Sequence, residues 1–149
     1  MEAWRITRAR KSAGAFSGEG ARIYGGRWNS SGIRMVYTAG SRSLAILEIL
    51  AHLTTAAPLD NYVLYRVESD DSLVQILRHL PSGWNSEPPT AVSQSIGDRW
   101  VRAATHPVLS VPSAIVPEER NYLLNPTHPD FSRIVIGRGV AYRIDPRLL

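Results

Sequence analysis

The chain has no cysteine among its 149 residues, so neither disulfide bonds nor thiolate metal sites are available to it. It also lacks any run of about 20 apolar residues, the length needed to cross a bilayer. Its opening residues, Met1-Glu2-Ala3-Trp4-Arg5, lead into polar sequence without the apolar centre of a signal peptide. These absences predict a cytoplasmic protein that makes no membrane contact.

Lysine is almost absent: of the 17 basic residues only Lys11 is a lysine, and the others are arginines. Arginine suits the bidentate recognition of phosphate and carboxylate groups. The net charge is +4, but the basic residues are dispersed and form no polybasic run. Direct binding of nucleic acid is therefore not expected, although the arginine content keeps a nucleic-acid binder or a ribonuclease as an alternative.

The composition is that of a globular protein, with 44% hydrophobic and 20% charged residues. The length predicts one domain spanning residues 1–149. Apolar and β-branched runs predict strands at residues 4–7, 35–38, 62–67, 108–111, 134–136 and 140–144. Helical spacing predicts helices from Ser41 or Ser43 to about residue 53, over 72–80 and over 93–104, with a loop at 81–89. Without regular βαβ alternation, this order favours an α+β fold with a mixed or largely antiparallel sheet.

Glu48 is the residue that most needs an explanation, because it interrupts the run Leu44-Ala45-Ile46-Leu47-Glu48-Ile49-Leu50-Ala51. A helix that is apolar all round is a buried helix, and an unpartnered carboxylate there is costly. Two interpretations stay open. Glu48 either points to solvent or pairs with an arginine, or it lines a cleft and takes part in chemistry.

Two loop motifs are candidates for ligand contact. The first is Tyr24-Gly25-Gly26-Arg27-Trp28-Asn29. Its glycines allow a ligand to approach the backbone closely. The arginine could bind a pyrophosphate through two parallel hydrogen bonds, and the tryptophan ring could stack on a ligand. Taken alone, the motif favours a plain Gly-Gly turn with a surface arginine and a packed tryptophan. The second is Val111-Pro112-Ser113, followed by Asn121-Tyr122-Leu123-Leu124-Asn125-Pro126. The four histidines are scattered without ligand spacing, so no metal site is expected.

These two motifs and, between them, Val36-Tyr37-Thr38-Ala39 running into Leu47-Glu48 follow one another along the chain. Together they resemble the RES domain, the toxin half of RES–Xre toxin–antitoxin pairs. The resemblance implies an ADP-ribosyltransferase-like fold in which mixed or antiparallel sheets with flanking helices surround a central NAD cleft. It implies a type II toxin that degrades NAD by hydrolysis or phosphorolysis of the nicotinamide–ribose bond. NAD is then a substrate and no cofactor is needed. An Xre-type antitoxin that blocks the cleft is the implied protein partner.

Carried over residue by residue, the resemblance assigns Glu48 and Arg27 to catalysis. It assigns substrate binding to Tyr37, Ser113, Asn29 and Asn125. Glu48 is expected to stabilise the positive charge that develops on the ribose, as carboxylates do in glycoside cleavage. Arg27 is expected to bind the pyrophosphate, helped by Arg5 or Arg8. Tyr37 would stack on nicotinamide or its ribose, and Ser113 would bind the ribose or the carboxamide.

A protein ADP-ribosyltransferase toxin is the main alternative, because it would use every residue named above. A module that only binds other proteins, with Glu48 as a buried ion-pair partner, is a further alternative.

Overall fold

The computed structural model describes residues 1–53 and 58–149. Its strands are β1 (Glu2–Arg8), β2 (Val36–Ala39), β3 (Tyr62–Glu68), β4 (Val74–Ile76), β5 (Val108–Pro112), β6 (Arg120–Leu124), β7 (Val135–Ile136) and β8 (Val140–Tyr142). Its α-helices are α1 (Glu19–Tyr24), α2 (Arg42–His52) and α3 (Ala91–Ala103). Among the described residues, no helix has the length and apolar character that a membrane crossing requires.

The strands form one sheet of eight in the order β4-β5-β6-β2-β1-β3-β7, with β8 also pairing with β3. All pairs are antiparallel except β4 with β5. The α+β class and the largely antiparallel sheet predicted from the sequence are therefore confirmed. Strand β6 lies next to β2 although more than 80 residues separate them, and this long-range pairing sets the geometry of the candidate site.

The pairing register shows which side chains share a face of the sheet. Ala39 lies opposite both Trp4 and Asn121, and Tyr37 lies opposite Leu123. Directly opposed residues point to the same side, and alternate residues of a strand do so as well. We call this side the site face. Helix α2 covers its β1–β2 part, while Trp28 and α3 pack over its β5–β6 part.

Helix α2 begins at a serine cap, since the Ser41 side chain accepts a hydrogen bond from the Leu44 amide. Leu44 and Ala45 are buried against the sheet, but Leu47 is 40% exposed. The expectation that α2 is buried all round is therefore wrong. The helix lies on the sheet with one face towards solvent.

Helix α3 packs against the backbone of the loop between α1 and β2, residues 25–35, which we call the Arg27 loop. A Cβ atom added to Gly97 would lie 1.7 Å from the carbonyl oxygen of Trp28, so only glycine permits this contact. The Asp98 carboxylate accepts hydrogen bonds from both the amide and the hydroxyl of Ser30. These contacts fix the loop and the helix as one unit.

The helix predicted over residues 72–80 is wrong. A short 3-10 helix, Asp71–Leu73, leads into β4, which pairs in parallel with β5. The edge of the sheet supplies backbone partners there, and this pairing overrides the helical spacing of the leucines and isoleucine. Sequence analysis also missed α1 and β6. Both are short and start with polar residues, so neither shows a clear apolar period.

Candidate active site

Glu48 is held by two neutral donors that come from distant parts of the chain. Its Oε1 atom accepts hydrogen bonds from Ser113 Oγ at 2.9 Å and from Asn121 Nδ2 at 2.6 Å. The residue is half-buried on α2. In residues 1–53 and 58–149 its carboxylate forms no ion pair and its Oε2 atom accepts no hydrogen bond. An arginine partner therefore does not explain Glu48, whose carboxylate is oriented by neutral donors and is not paired with a cation.

Ser113 directly follows β5 and is fully buried, and all the hydrogen-bonding groups of its hydroxyl have partners within the protein. The oxygen accepts hydrogen bonds from the amides of Ile115 and Val116, both at 3.1 Å, and the proton goes to Glu48. A serine hydroxyl has one proton and two lone pairs. Ser113 thus orients Glu48, and it has no remaining capacity for the ribose or carboxamide contact that was expected of it.

Asn121 is the member of the site that sequence reasoning missed. It lies on β6, opposite Ala39 and Val111, and its side chain lies on the site face with Glu48 above it. Its Oδ1 atom is buried without a partner among the described residues. Asn121 is the first residue of the sequence motif that ends in Asn125-Pro126. Only the recognition of β6 as a strand paired with β2 would have placed Asn121 beside Ala39.

The Arg27 loop is held by Tyr37 and Asn29. The Tyr37 hydroxyl accepts from the Trp28 amide at 3.0 Å and donates to Asn29 Oδ1 at 2.6 Å. Asn29 is fully buried, and its Nδ2 atom donates to three backbone carbonyls. A Cβ atom at Gly26 would lie 2.6 Å from the Tyr37 hydroxyl, which explains that glycine. Asn29 therefore anchors the loop, and the structure leaves it no free group for substrate.

The guanidinium of Arg27 reaches the loop predicted at residues 81–89. Its NH1 atom donates to the carbonyl oxygens of Trp84 at 3.2 Å and Ser86 at 2.8 Å, and NH2 donates to the Glu87 carboxylate at 2.9 Å. The Trp84 ring stacks on Trp28, with centroids 5.9 Å apart. Arg27 is thus a positioned cation whose neighbours are mostly carbonyl groups.

Tyr37 lies on the site face, and its hydroxyl contacts the loop that carries Arg27. It is a diagonal neighbour of Asn121 across the β2–β6 pair, a spacing of about 7–8 Å. Burial raises the pKa of its hydroxyl well above the usual value. The negative charge of Asp98 raises this pKa further, and the positive charge of Arg27 lowers it. The hydroxyl therefore stays neutral and serves the loop. The ring is the part of Tyr37 that a ligand can contact.

The structure does not bring Asn125, Arg5 or Arg8 to this place. Asn125 lies four residues beyond Asn121, about 13 Å along the chain, and its Oδ1 atom accepts from Thr127. Arg5 lies on the opposite face of the sheet, where it donates to the carbonyls of Ala15 and Tyr37. Burial there lowers the pKa of Arg5 to about 10. Arg8 stacks over the Tyr62 ring at the far end of β1. The expected help for Arg27 from Arg5 is wrong, because the sheet separates them.

No group of three His, Asp or Glu side chains suited to a metal ion occurs in the described part of the chain. In the described part of the chain a cavity of about 340 Å³ lies between α3 and β4, and another of about 330 Å³ lies beside residues 58–61. Neither is lined by Glu48, Arg27 or Tyr37. The chemical resources of this region are therefore an oriented carboxylate, a positioned guanidinium and the aromatic ring of Tyr37. This set suits the stabilisation of positive charge next to a bound anion.

Comparisons with known proteins agree on the family. A family model described as the RES domain matches residues 2–145. The chain is 43% identical to a protein named Prs ADP-ribosylating toxin from Sphingobium sp. (strain YBL2), covering 98% of this chain and 95% of that protein. It is 38% identical to proteins named Toxin Res from Yersinia enterocolitica, covering 99% of both, and Photorhabdus laumondii, covering 100% of this chain and 97% of that protein.

The fold has a solved counterpart. A chain of the crystal structure described as the M. tuberculosis MbcT–MbcA toxin–antitoxin complex superposes with a TM-score of 0.74. The match covers 95% of this chain and 84% of that one, at 22% sequence identity. At this identity the likeness shows the fold.

Proposed function

The chain belongs to the RES domain family, and on that basis we propose that it is the toxin of a type II toxin–antitoxin pair that destroys NAD. The reaction breaks the bond between nicotinamide and ribose. Water or inorganic phosphate attacks the ribose carbon, and nicotinamide leaves with the electron pair of the broken bond. We place the reaction in the cytoplasm, where NAD is available.

Glu48 supplies the main catalytic effect in this proposal. The nicotinamide ring is already cationic, so it accepts the electron pair without a general acid. The harder part is the positive charge that develops on the ribose as the bond stretches. A carboxylate next to that sugar stabilises the charge and can accept a hydrogen bond from a ribose hydroxyl.

The observation that carries the proposal is the state of the Glu48 carboxylate. Two neutral side chains, Ser113 and Asn121, orient it through one oxygen, and no cation among the described residues compensates its charge. A structural ion pair would have placed an arginine there. An oriented, uncompensated anion is what an oxocarbenium-like sugar requires, since preorganised charge costs no rearrangement during reaction.

Arg27 and Tyr37 complete the proposed substrate site. The loop at residues 81–89 accepts hydrogen bonds from three of the five N–H donors of the Arg27 guanidinium, and the other two, on Nε and NH2, suit the pyrophosphate of NAD. The Tyr37 ring offers a stacking surface for nicotinamide or its ribose. Ser113 acts through Glu48 and is a positioning residue.

Incubation of the purified protein with NAD, followed by chromatography of the products, tests the proposal. Hydrolysis yields nicotinamide and ADP-ribose, and phosphorolysis yields nicotinamide and phosphorylated ADP-ribose only when phosphate is present. Running the reaction with and without phosphate identifies the acceptor. If no nicotinamide is released under either condition, and none when proteins are added as acceptors, the proposed activity is wrong.

Transfer of ADP-ribose to a protein is the second candidate, and a specific observation favours it. The relative that is 43% identical is named an ADP-ribosylating toxin. The first step is the same, so the Glu48 argument applies unchanged, but a protein side chain replaces water or phosphate. Mass spectrometry of a lysate treated with labelled NAD separates the two, because only transfer leaves labelled protein.

An antitoxin of the Xre type is the proposed protein partner, which would block the site face. The described structural counterpart comes from a toxin–antitoxin complex, in agreement with this. Co-expression with the product of an adjacent reading frame should abolish NAD loss. NAD loss that continues at the same rate in a co-purifying complex would contradict a blocking role.

A further inference from the structure

The ion pair between Arg27 and Glu87 is unusual because Arg27 does not need it to stay in place. A guanidinium has five N–H donors. The NH1 group is held by two backbone carbonyls, those of Trp84 and Ser86. Stacking of Trp84 on Trp28 holds this part of the loop against the residue that follows Arg27. The Glu87 bond to NH2 is thus an addition to a guanidinium that is already fixed.

The two partners of this ion pair differ strongly in exposure. The Arg27 side chain is 16% exposed, whereas that of Glu87 is 76% exposed. Exposed carboxylates in surface ion pairs contribute little and return to water easily. The backbone carbonyls cannot leave Arg27 without moving the stacked loop, but the Glu87 side chain can leave it by a simple rotation.

We propose that Glu87 is an internal competitor of the substrate pyrophosphate for Arg27, and so a residue that sets the affinity for NAD. This inference rests on the proposed function. In the free protein the Glu87 carboxylate accepts a hydrogen bond from one of the two N–H donors of NH2 and places its negative charge beside the donors that remain. A phosphate group of the substrate replaces it, while NH1 stays on its two carbonyls. Part of the binding energy is used to displace Glu87, which raises KM without affecting the chemical step.

Two matched variants test this in the full-length protein. Glu87→Gln removes the competing charge and keeps the shape. Glu68→Gln makes the same change in net charge and also breaks an exposed ion pair, with Arg66 at 3.2 Å, at the far side of the sheet. Relative to Glu68→Gln, we expect Glu87→Gln to lower KM for NAD about two- to fivefold with kcat unchanged. The affinity for ADP-ribose should rise by the same factor, and that for nicotinamide, which has no phosphate, should not change.

An unchanged or weakened affinity of Glu87→Gln for ADP-ribose overturns the proposal. Weaker binding would mean that Glu87 holds Arg27 in position. Titration with ADP-ribose needs no turnover. It therefore still tests the competition between Glu87 and phosphate if the wild-type protein releases no nicotinamide, and in that case only the proposed function fails. If the wild-type protein cleaves NAD and the two variants behave alike, only the inference about Glu87 fails. Absence of ADP-ribose binding in all three proteins overturns the inference about Glu87, whereas nicotinamide release decides the proposed function.

Discussion

The two charged residues of the site are held in opposite ways. Glu48 is oriented by two side chains, Ser113 and Asn121, which reach it from another part of the sheet. Arg27 sits on a loop whose backbone is fixed by buried hydrogen bonds and by close packing on α3. The Arg27 side is a rigid platform for a ligand, whereas the Glu48 side depends on a few polar contacts.

This difference separates two kinds of sensitivity. Changes in volume should damage the Arg27 side most, because its backbone is in direct contact with a helix. Loss of single hydrogen bonds should damage the Glu48 side most, because two bonds decide where the carboxylate points. If Glu48 performs the chemistry and Arg27 binds the substrate, damage on the two sides should appear in kcat and KM respectively.

The largest effect is expected for Gly97→Ala, which tests the rigid side. The new Cβ would lie 1.7 Å from the Trp28 carbonyl oxygen, so α3 and the loop must separate. We expect a loss of about 3 kcal/mol in the free energy of unfolding, measured by denaturant titration, since overpacking costs about 1–3 kcal/mol and occasionally more. Gly20→Ala is the matched control, because nothing lies within 4 Å of its Cβ position on α1. Equal unfolding midpoints for the two variants would show that the contact is not rigid.

Removal of the Arg27 side chain should impair binding more than chemistry. A charge-assisted hydrogen bond contributes about 1.5–3 kcal/mol, so Arg27→Ala should raise KM for NAD about 10- to 100-fold. The value of kcat should change by less than about threefold, because Arg27 does not contact the reacting carbon in this account. Steady-state kinetics separate the two constants. A fall confined to kcat would assign Arg27 to the chemistry and break the division proposed above.

Two buried serines allow a direct comparison of the two sides. Ser113 donates to Glu48, whereas Ser93 on α3 donates to the Arg27 carbonyl at 2.6 Å. Both are fully buried. We expect Ser113→Ala to lower kcat about tenfold, the value of roughly one lost hydrogen bond to a charged group. Ser93→Ala should leave kcat unchanged and affect only stability or KM. A similar kcat in both variants, measured after their folding is verified by circular dichroism, would contradict the positioning role of Ser113.

The smallest effect on the kinetic constants is expected for Tyr37→Phe, which keeps the ring and removes the hydroxyl. The Trp28 amide and Asn29 Oδ1 lose a buried partner, at a cost of about 1–3 kcal/mol in stability. KM for NAD should rise only a few fold with kcat unchanged, because the stacking surface remains. Tyr37→Ala is the comparison, and it should raise KM further. A large loss of kcat in Tyr37→Phe would mean that the hydroxyl takes part in the reaction.

Several parts of the fold follow from local sequence patterns. The strands at Tyr62–Glu68 and Val108–Pro112 and the serine-capped helix at Arg42–His52 were all predicted, because their apolar patterns and caps are local signals. The prediction of a helix over residues 72–80 failed because pairing of Val74–Ile76 with its partner strand β5 overrides a spacing that is helical by itself. Local patterns hold no information about that partner.

The site shows the same limit. Glu48 stands out in the sequence as a charge in an apolar run, and resemblance to a family placed Ser113 with it. The hydrogen bonds that explain both residues span 65 and 73 positions along the chain. Asn121 was not assigned to the site because only the β2–β6 register puts it opposite Ala39 and below Glu48. The hydrogen bonds by which Ser113 orients Glu48 and Asn29 anchors the loop are likewise made with residues that no local pattern brings to them.

The central claim is that the Glu48 carboxylate stabilises the ribose as nicotinamide leaves, and nicotinamide release by Glu48→Gln tests it most directly. The substitution keeps the shape and removes the charge, and Glu68→Gln serves as the control for net charge. At saturating NAD, we predict that Glu48→Gln releases nicotinamide about 10²- to 10³-fold more slowly than wild type, the usual cost of losing one preorganised electrostatic group. Release at the wild-type rate by a folded Glu48→Gln protein would contradict the account.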